Sequence, residues 1–208
     1  MKGWQIGCGI FGVLIVLLLL ILGGSYVSVY NNLNTKYQIV NGARSRYSSA
    51  LNLCSQKIEG VWEIANQYLK HESETFTRVA EARSGYQAAA QAYQAALKNG
   101  TDTRTLTEAG SGAVQAALAF RIQVEAYPQL RGAETSQENI RNMEVATNEI
   151  KTALDDWITT IRDYNTYRGS FWPNLVGSLI GKFPAQIDYY EGPTKELDVE
   201  KLNPQKKK

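Results

Sequence analysis

Apolar side chains in the body of the chain recur at alternating spacings of three and four, the repeat of one face of an α-helix. Leu33, Tyr37, Val40, Tyr47, Leu51, Cys54, Ile58, Val61, Ala65 and Tyr68 hold one register, with Arg44 as its charged interruption. Phe76, Val79, Tyr86, Ala90, Tyr93 and Leu97 continue one residue out of phase, with Arg83 in the stripe. Leu106, Ala113, Ala117, Phe120, Val124 and Tyr127 form a third run. Ile140, Met143, Ile150, Leu154, Trp157, Ile161, Tyr164 and Phe171 form a fourth, with Thr147 and Arg168 in register. No alternation of period two persists over any length, so the pattern predicts an all-α body.

Breaks in the pattern divide this body into four helices. Asn99-Gly100-Thr101-Asp102 is a turn cluster, Pro128 ends the third helix near Tyr127, and Pro173 ends the fourth near Trp172. Gly60 is the breaker within the first long run and puts a turn near residues 57–60. Short connections make neighbours antiparallel, which predicts an up-and-down four-helix bundle over residues 26–172. Seams of alternating three and four residues call for shallow crossing angles.

Ahead of the body lies a different pattern. Lys2 is the only charge before Lys36, and residues 10–22 read I-F-G-V-L-I-V-L-L-L-L-I-L. About 20 apolar residues cross a bilayer core of roughly 30 Å. Trp4 to Gly24 meets that length, with Trp4 at one rim and Tyr26 and Tyr30 at the other. The reading is a single-pass anchor over residues 1–25, with the lipid bilayer as its partner. A cleaved signal sequence is the rival, but its apolar region is usually about 7–15 residues and precedes an Ala-x-Ala-like site, which is missing here. Cys8 precedes the apolar run and so is not the acylated cysteine of a lipoprotein. Gly3-x-x-x-Gly7 offers a small-residue surface to the helix of a second copy, a homo-oligomer. If the first helix leaves the bilayer, the second returns, the third leaves and the fourth returns. The 99–102 turn and the segment after Phe171 then lie at the membrane-proximal end.

Charge narrows the function. Between Tyr26 and Thr194 there are 16 basic and 17 acidic residues, a balance with no electrostatic footprint for nucleic acid. Two cysteines, Cys8 and Cys54, make no disulfide framework. His71-Glu72 resembles the start of a zinc-binding His-Glu-x-x-His helix, but position 75 is Thr75 and His71 is the sole histidine. The same count removes a Cys–His nucleophile and a bundle di-iron site. Gly110-Ser111-Gly112 sits in an alanine-rich helical stretch, where small residues admit a close neighbour, and Asp155-Asp156 point to different sides of a helix. The sequence therefore predicts no catalytic, cofactor-binding or metal residues, and no cofactor.

Two features remain. Arg44, Arg83 and Arg168 interrupt apolar stripes, and each is expected to pair with a carboxylate or reach the bundle rim. Their alternative use is a polar groove for a small anionic ligand. Trp172, Leu175, Val176, Leu179, Ile180 and Phe183 follow an i, i+3, i+4, i+7, i+8, i+11 pattern within residues 173–191 and their approach. This amphipathic segment is either a lid on the bundle end or the contact with a membrane surface or a membrane-adjacent protein. Residues 192–208 turn polar and end in Lys206-Lys207-Lys208, a flexible tail.

Several motifs are similar to those of the LemA family of membrane-anchored helical proteins. They are Tyr30-Asn31-x-Leu33, His71-Glu72-x-x-x-Phe76-x-x-Val79-x-x-Ala82-Arg83, and Glu125-Ala126-Tyr127-Pro128-Gln129-Leu130-Arg131. Tyr164-Asn165, Trp172-Pro173-x-Leu175, Lys182-Phe183 and Tyr189-Tyr190-Glu191 resemble its closing pattern. The family's Ile-Pro-Asn-Leu between its first two helices aligns with Ile58-Glu59-Gly60-Val61, without the proline. Trp172 replaces a phenylalanine, and Lys182 stands where glycine is usual. The resemblance implies a single-pass protein of the cell (inner) membrane with a helical bundle and no established catalysis. Basic residues on the two sides of the span are nearly balanced, and the family analogy leans to a cytoplasmic body. The function expected is a non-enzymatic interaction module, with a membrane-tethered sensor of a small anionic ligand as the alternative.

Overall fold

Each stripe becomes one side of a helix. A computed structural model describes residues 2–68, 73–127 and 134–190, with side chains over 9–68, 74–127 and 136–190. It contains α1 (Lys2–Tyr68), α2 (Ser73–Lys98), α3 (Thr103–Glu125), α4 (Glu134–Gly169) and α5 (Phe171–Ile180), with no strand among the described residues. Residues 69–72, with His71-Glu72, lie outside them, as do 128–133 and the tail from 191 onwards.

The turn expected near residues 57–60 does not occur. α1 runs unbroken through it for 67 residues. Glycine inside a helix costs only about 1 kcal/mol relative to alanine. Burial of a large aliphatic side chain contributes about 1.5–3 kcal/mol, and Ile58 and Val61 on either side of Gly60 are both buried. One glycine without a proline is outweighed. α1 reaches Tyr68 and α2 starts at Ser73, on either side of the interval where the sequence stripe slips by one residue.

The other turn chemistry behaves as its residues dictate. Gly100 takes φ 63°, and Asp102 caps α3 by accepting from the Thr105 amide at 2.9 Å and the Thr105 hydroxyl at 3.0 Å. Those donors hold the Asp102 carboxyl below its ordinary range. α3 ends at Glu125, short of Pro128. Pro173, however, does not end α4. That helix stops at Gly169, Ser170 caps α5, and Pro173 sits in the first turn of α5, where a missing N–H is no loss.

The chain divides into two compact units, one made of Met1–Val40 with Arg162–Gln186, the other of Asn41–Ile161 with Ile187–Lys208. In the second unit, α1 and α2 are joined by Ser48–Tyr93 and Ser55–Tyr86 hydroxyl pairs, each at 2.8 Å. Arg83 grips Glu59 through Nε and Nη2, its shortest contact 2.7 Å, and lies over the Trp62 ring at 4.9 Å. Trp62 meets Phe76 at 5.2 Å. Partner numbers fall along α2 as they rise along α1, so these two helices run in opposite directions. Tyr47 lies at the centre: its ring stacks on Trp157 of α4 at 6.0 Å and meets Tyr93 edge-on at 5.0 Å. Its hydroxyl donates to the Gly110 carbonyl of α3 at 2.8 Å. A Cβ on Gly110 would stand 3.2 Å from the Tyr47 ring, so the small residue there admits a close neighbour, as the alanine-rich stretch implied. Past α5, the Tyr190 amide donates to the Thr107 hydroxyl at 2.8 Å.

Cys54 is buried in this core, and burial pushes its thiol from 9.0 up to about 11, against the Tyr86 hydrogen bond. Burial also raises Tyr47 and Tyr86. A raised folded-state value contributes stability that is complete below the unfolded value and disappears as pH climbs to the folded one. For Cys54 that window runs from about pH 9 to about pH 11. A Cys8→Ser protein should therefore resist thiol labelling at neutral pH while folded. Its urea midpoint should hold to about pH 9 and fall above it; fast labelling of the native chain at pH 7 would contradict this placement.

Candidate membrane-interface site

Within the first unit, α1 carries the apolar run and then its own first buried positions. Large side chains from Ile10 to Leu22 are 41–67% exposed, with no protein cover. The helix is long and apolar enough to cross a membrane. Burial begins at Val29 and Leu33 and continues at Val40. That stretch is where the last turns of α4 and the residues after α5 dock.

The docking is aromatic and basic. Phe183 meets Tyr30 at 5.7 Å and Tyr37 at 6.2 Å, both edge-on, and Tyr37 meets Tyr164 at 6.0 Å. Lys182 Nζ donates to the Tyr30 hydroxyl at 3.1 Å, and the Tyr164 hydroxyl donates to the Pro184 carbonyl. Lys36 lies over the Tyr167 ring at 5.6 Å, and Tyr167 also bonds Asn32. Burial pushes both Tyr164 and Tyr167 above the usual tyrosine value.

Arg168 fastens α5 to the end of α4. Its guanidinium is buried and meets no carboxylate among the described residues, contrary to the expectation that each stripe arginine would be paired or at the rim. Nη1 donates to Asn174 Oδ1 at 2.8 Å and to the Asn174 carbonyl at 3.1 Å, and Nη2 reaches Ser178 Oγ at 3.4 Å. Neutral oxygens held at fixed positions replace water around a delocalised cation that is weakly hydrated to begin with. A Cβ on Gly177 would lie 2.8 Å from Arg168 Cζ, so glycine is what lets the guanidinium lie flat on α5. Of the other two, Arg83 is paired with Glu59 and Arg44 is half-buried.

The six residues singled out from the sequence divide between two faces. Val176 and Phe183 are buried, along with Pro173 and Gly177, and Ile180 is half-buried. Trp172, Leu175 and Leu179 stand outside at 49%, 47% and 75% exposure, joined by Phe171 at 75%. Phe171 was assigned to the buried stripe of the fourth helix; the new cap at Ser170 turns it outward. At 100° per residue, residues 171, 175, 179 and 172 span one arc of about 100°. The sequence reading missed Phe171 and Arg168. The spacing of four from Phe171 through Leu175 to Leu179 was the available signal for the first; nothing in spacing marks the second as a fastener.

These features define a class: an all-helical protein whose first helix begins with a run able to span a membrane. The chain belongs to the LemA family, whose family model matches residues 51–201, well over half of the sequence. No curated protein matches it. Of the motifs that carried the resemblance, Tyr30, Tyr164, Pro173 and Lys182-Phe183 all lie in this first unit, where Tyr30 meets Lys182 and Phe183. His71-Glu72 and Pro128 through Arg131 lie outside the described residues.

Proposed function

We propose that the chain is a non-enzymatic, single-pass anchored four-helix bundle of the cell membrane that acts as a protein- or lipid-surface interaction module. The observation that carries this reading is the continuity of α1. One unbroken helix passes from an exposed, uncharged apolar run into buried Val29, Leu33 and Val40, so whatever holds the run also holds the folded body. Antiparallel contacts of α1 with α2, and contacts of α3 and α4 with Tyr47, support the up-and-down arrangement. Residues 26–172 form the bundle in this reading, and 173–191 its appended contact segment. The anionic-ligand alternative loses two of its three arginines to other partners, Arg83 to Glu59 and Arg168 to the oxygens of α5.

A thermal-shift screen of anionic metabolites against the full-length protein in detergent separates the two readings. The melting temperature should stay unchanged, because a ligand that binds only the native state must raise it. A saturable rise that Arg44→Gln abolishes would replace the interaction module with a ligand sensor.

A further inference from the structure

We propose that the outer face of α5 is a second membrane contact, lying in the plane of the leaflet from which α1 emerges. This inference rests on the anchored reading above and names the surface and the occupant: bilayer lipid. The face consists of Phe171, Trp172, Leu175 and Leu179, all exposed, on one arc of a ten-residue helix. No charged residue occurs between Arg168 and Lys182, so no charge on α5 resists approach to an apolar medium. Helices that lie on membranes combine such a face with aromatic residues at the level of the headgroups.

Position selects lipid over a protein partner. Both ends of α5 are tied to one short stretch of α1. Tyr167, one turn before the start of α5, is held by Asn32 and Lys36, and Lys182 and Phe183, just past its end, are held by Tyr30. Tyr30 follows Leu22 by eight residues, about 12 Å along a helix. Half the difference between a hydrocarbon core of about 30 Å and a full bilayer of about 40–45 Å is an interfacial layer of about 5–8 Å. With the run of α1 inserted, α5 therefore lies close above that layer, and side chains projecting from it reach the headgroups. Its two ends share nearly one height along α1, so its axis runs across α1 rather than along it. The uncovered apolar face thus stands beside the leaflet that receives the span, within reach of its headgroups.

The inner face explains why α5 stays there. Arg168 bonds Asn174 and Ser178, and Val176 and Phe183 are buried. The helix is clamped by one side and leaves its apolar side uncovered. Two contacts with one bilayer, a span and a surface helix, hold the first unit at a fixed tilt, which a single span does not do.

Photo-crosslinking of the full-length chain in vesicles of phosphatidylcholine and phosphatidylglycerol tests this. A diazirine-bearing residue replaces Leu17, Leu179, Phe171 or Asp163, one at a time, and lipid adducts are counted by mass spectrometry after irradiation. Leu17 reports the span, Leu179 and Phe171 the proposed face, and exposed Asp163, beside Tyr164 at the level of Tyr37, the height above it. The proposal predicts lipid adducts at Leu17, Leu179 and Phe171, and a several-fold loss at Asp163. Adducts at Leu17 with none at Leu179 and Phe171 overturn the proposal and leave the anchor standing. Crosslinks from Leu179 to a second copy of the chain overturn lipid as the occupant. No adduct at Leu17 overturns the anchored reading itself, and with it the argument from position.

Discussion

Trp157→Ala is expected to lower the unfolding free energy by about 3–5 kcal/mol, the cost of emptying a large aromatic site in a packed core. Trp157 is fully buried and stacks on Tyr47, whose hydroxyl in turn holds Gly110. Removing the indole thus withdraws support from the residue at which α1, α3 and α4 meet. Total stability of a domain is typically about 5–15 kcal/mol, so one such loss takes a large fraction of it. Trp157→Phe should cost much less. The Trp157 indole N–H has no hydrogen-bond partner, so phenylalanine keeps most of the stacking and removes a buried orphan donor. Urea unfolding of both variants in detergent, followed by far-ultraviolet circular dichroism, checks the contrast. Equal midpoints for Trp157→Ala and the parent would show that this core is not the one that holds the helices.

Gly177→Val should release α5. Its Cβ would fall 2.8 Å from Arg168 Cζ and Nε, and its methyls closer still, so either the guanidinium or the helix must leave. Overpacking of this kind costs about 1–3 kcal/mol, and the displaced guanidinium would give up its oxygen partners on α5 for water. Chymotrypsin should then cut after Phe171 and Leu179 far faster than in the parent, while the rest of the helical signal persists. Arg168→Met should act in the same direction by leaving Asn174 Oδ1 and Ser178 Oγ without their donor. Unchanged cleavage in both variants would mean that Arg168 is not the fastener of α5.

Most of the helical content was legible because burial has the period of the helix. Leu51, Cys54, Ile58, Val61 and Ala65 are all buried, and so are Met143, Ile150, Leu154, Trp157, Ile161 and Tyr164. The first turn was misplaced because a breaker residue was weighed above phase. Gly60 exerts a local preference of about 1 kcal/mol, whereas the slip between Tyr68 and Phe76 records which neighbours the side chains meet. Pro173 was misread in the same way. A proline forbids the middle of a helix but suits its first turn, and only the cap at Ser170 distinguishes the two.

The candidate site was half legible. Periodicity found the amphipathic segment but joined residues that the structure separates, because the six positions share one arc of about 140° and the boundary between buried and exposed runs through it. Which of them are buried depends on Arg168 and Tyr30, remote partners that no spacing within residues 172–183 encodes. Arg168 looked like an interruption for the same reason. Its acceptors are backbone, amide and hydroxyl oxygens five to ten residues away, and no carboxylate among the described residues takes part.

The central claim is that the chain remains whole and inserted through the apolar start of α1. Alkaline carbonate extraction of native membranes, with intact-mass analysis of the chain in each fraction, addresses it directly. The account predicts the full-length mass in the carbonate-resistant pellet. A shortened chain beginning near Tyr26, or the full chain released into the supernatant, would contradict it.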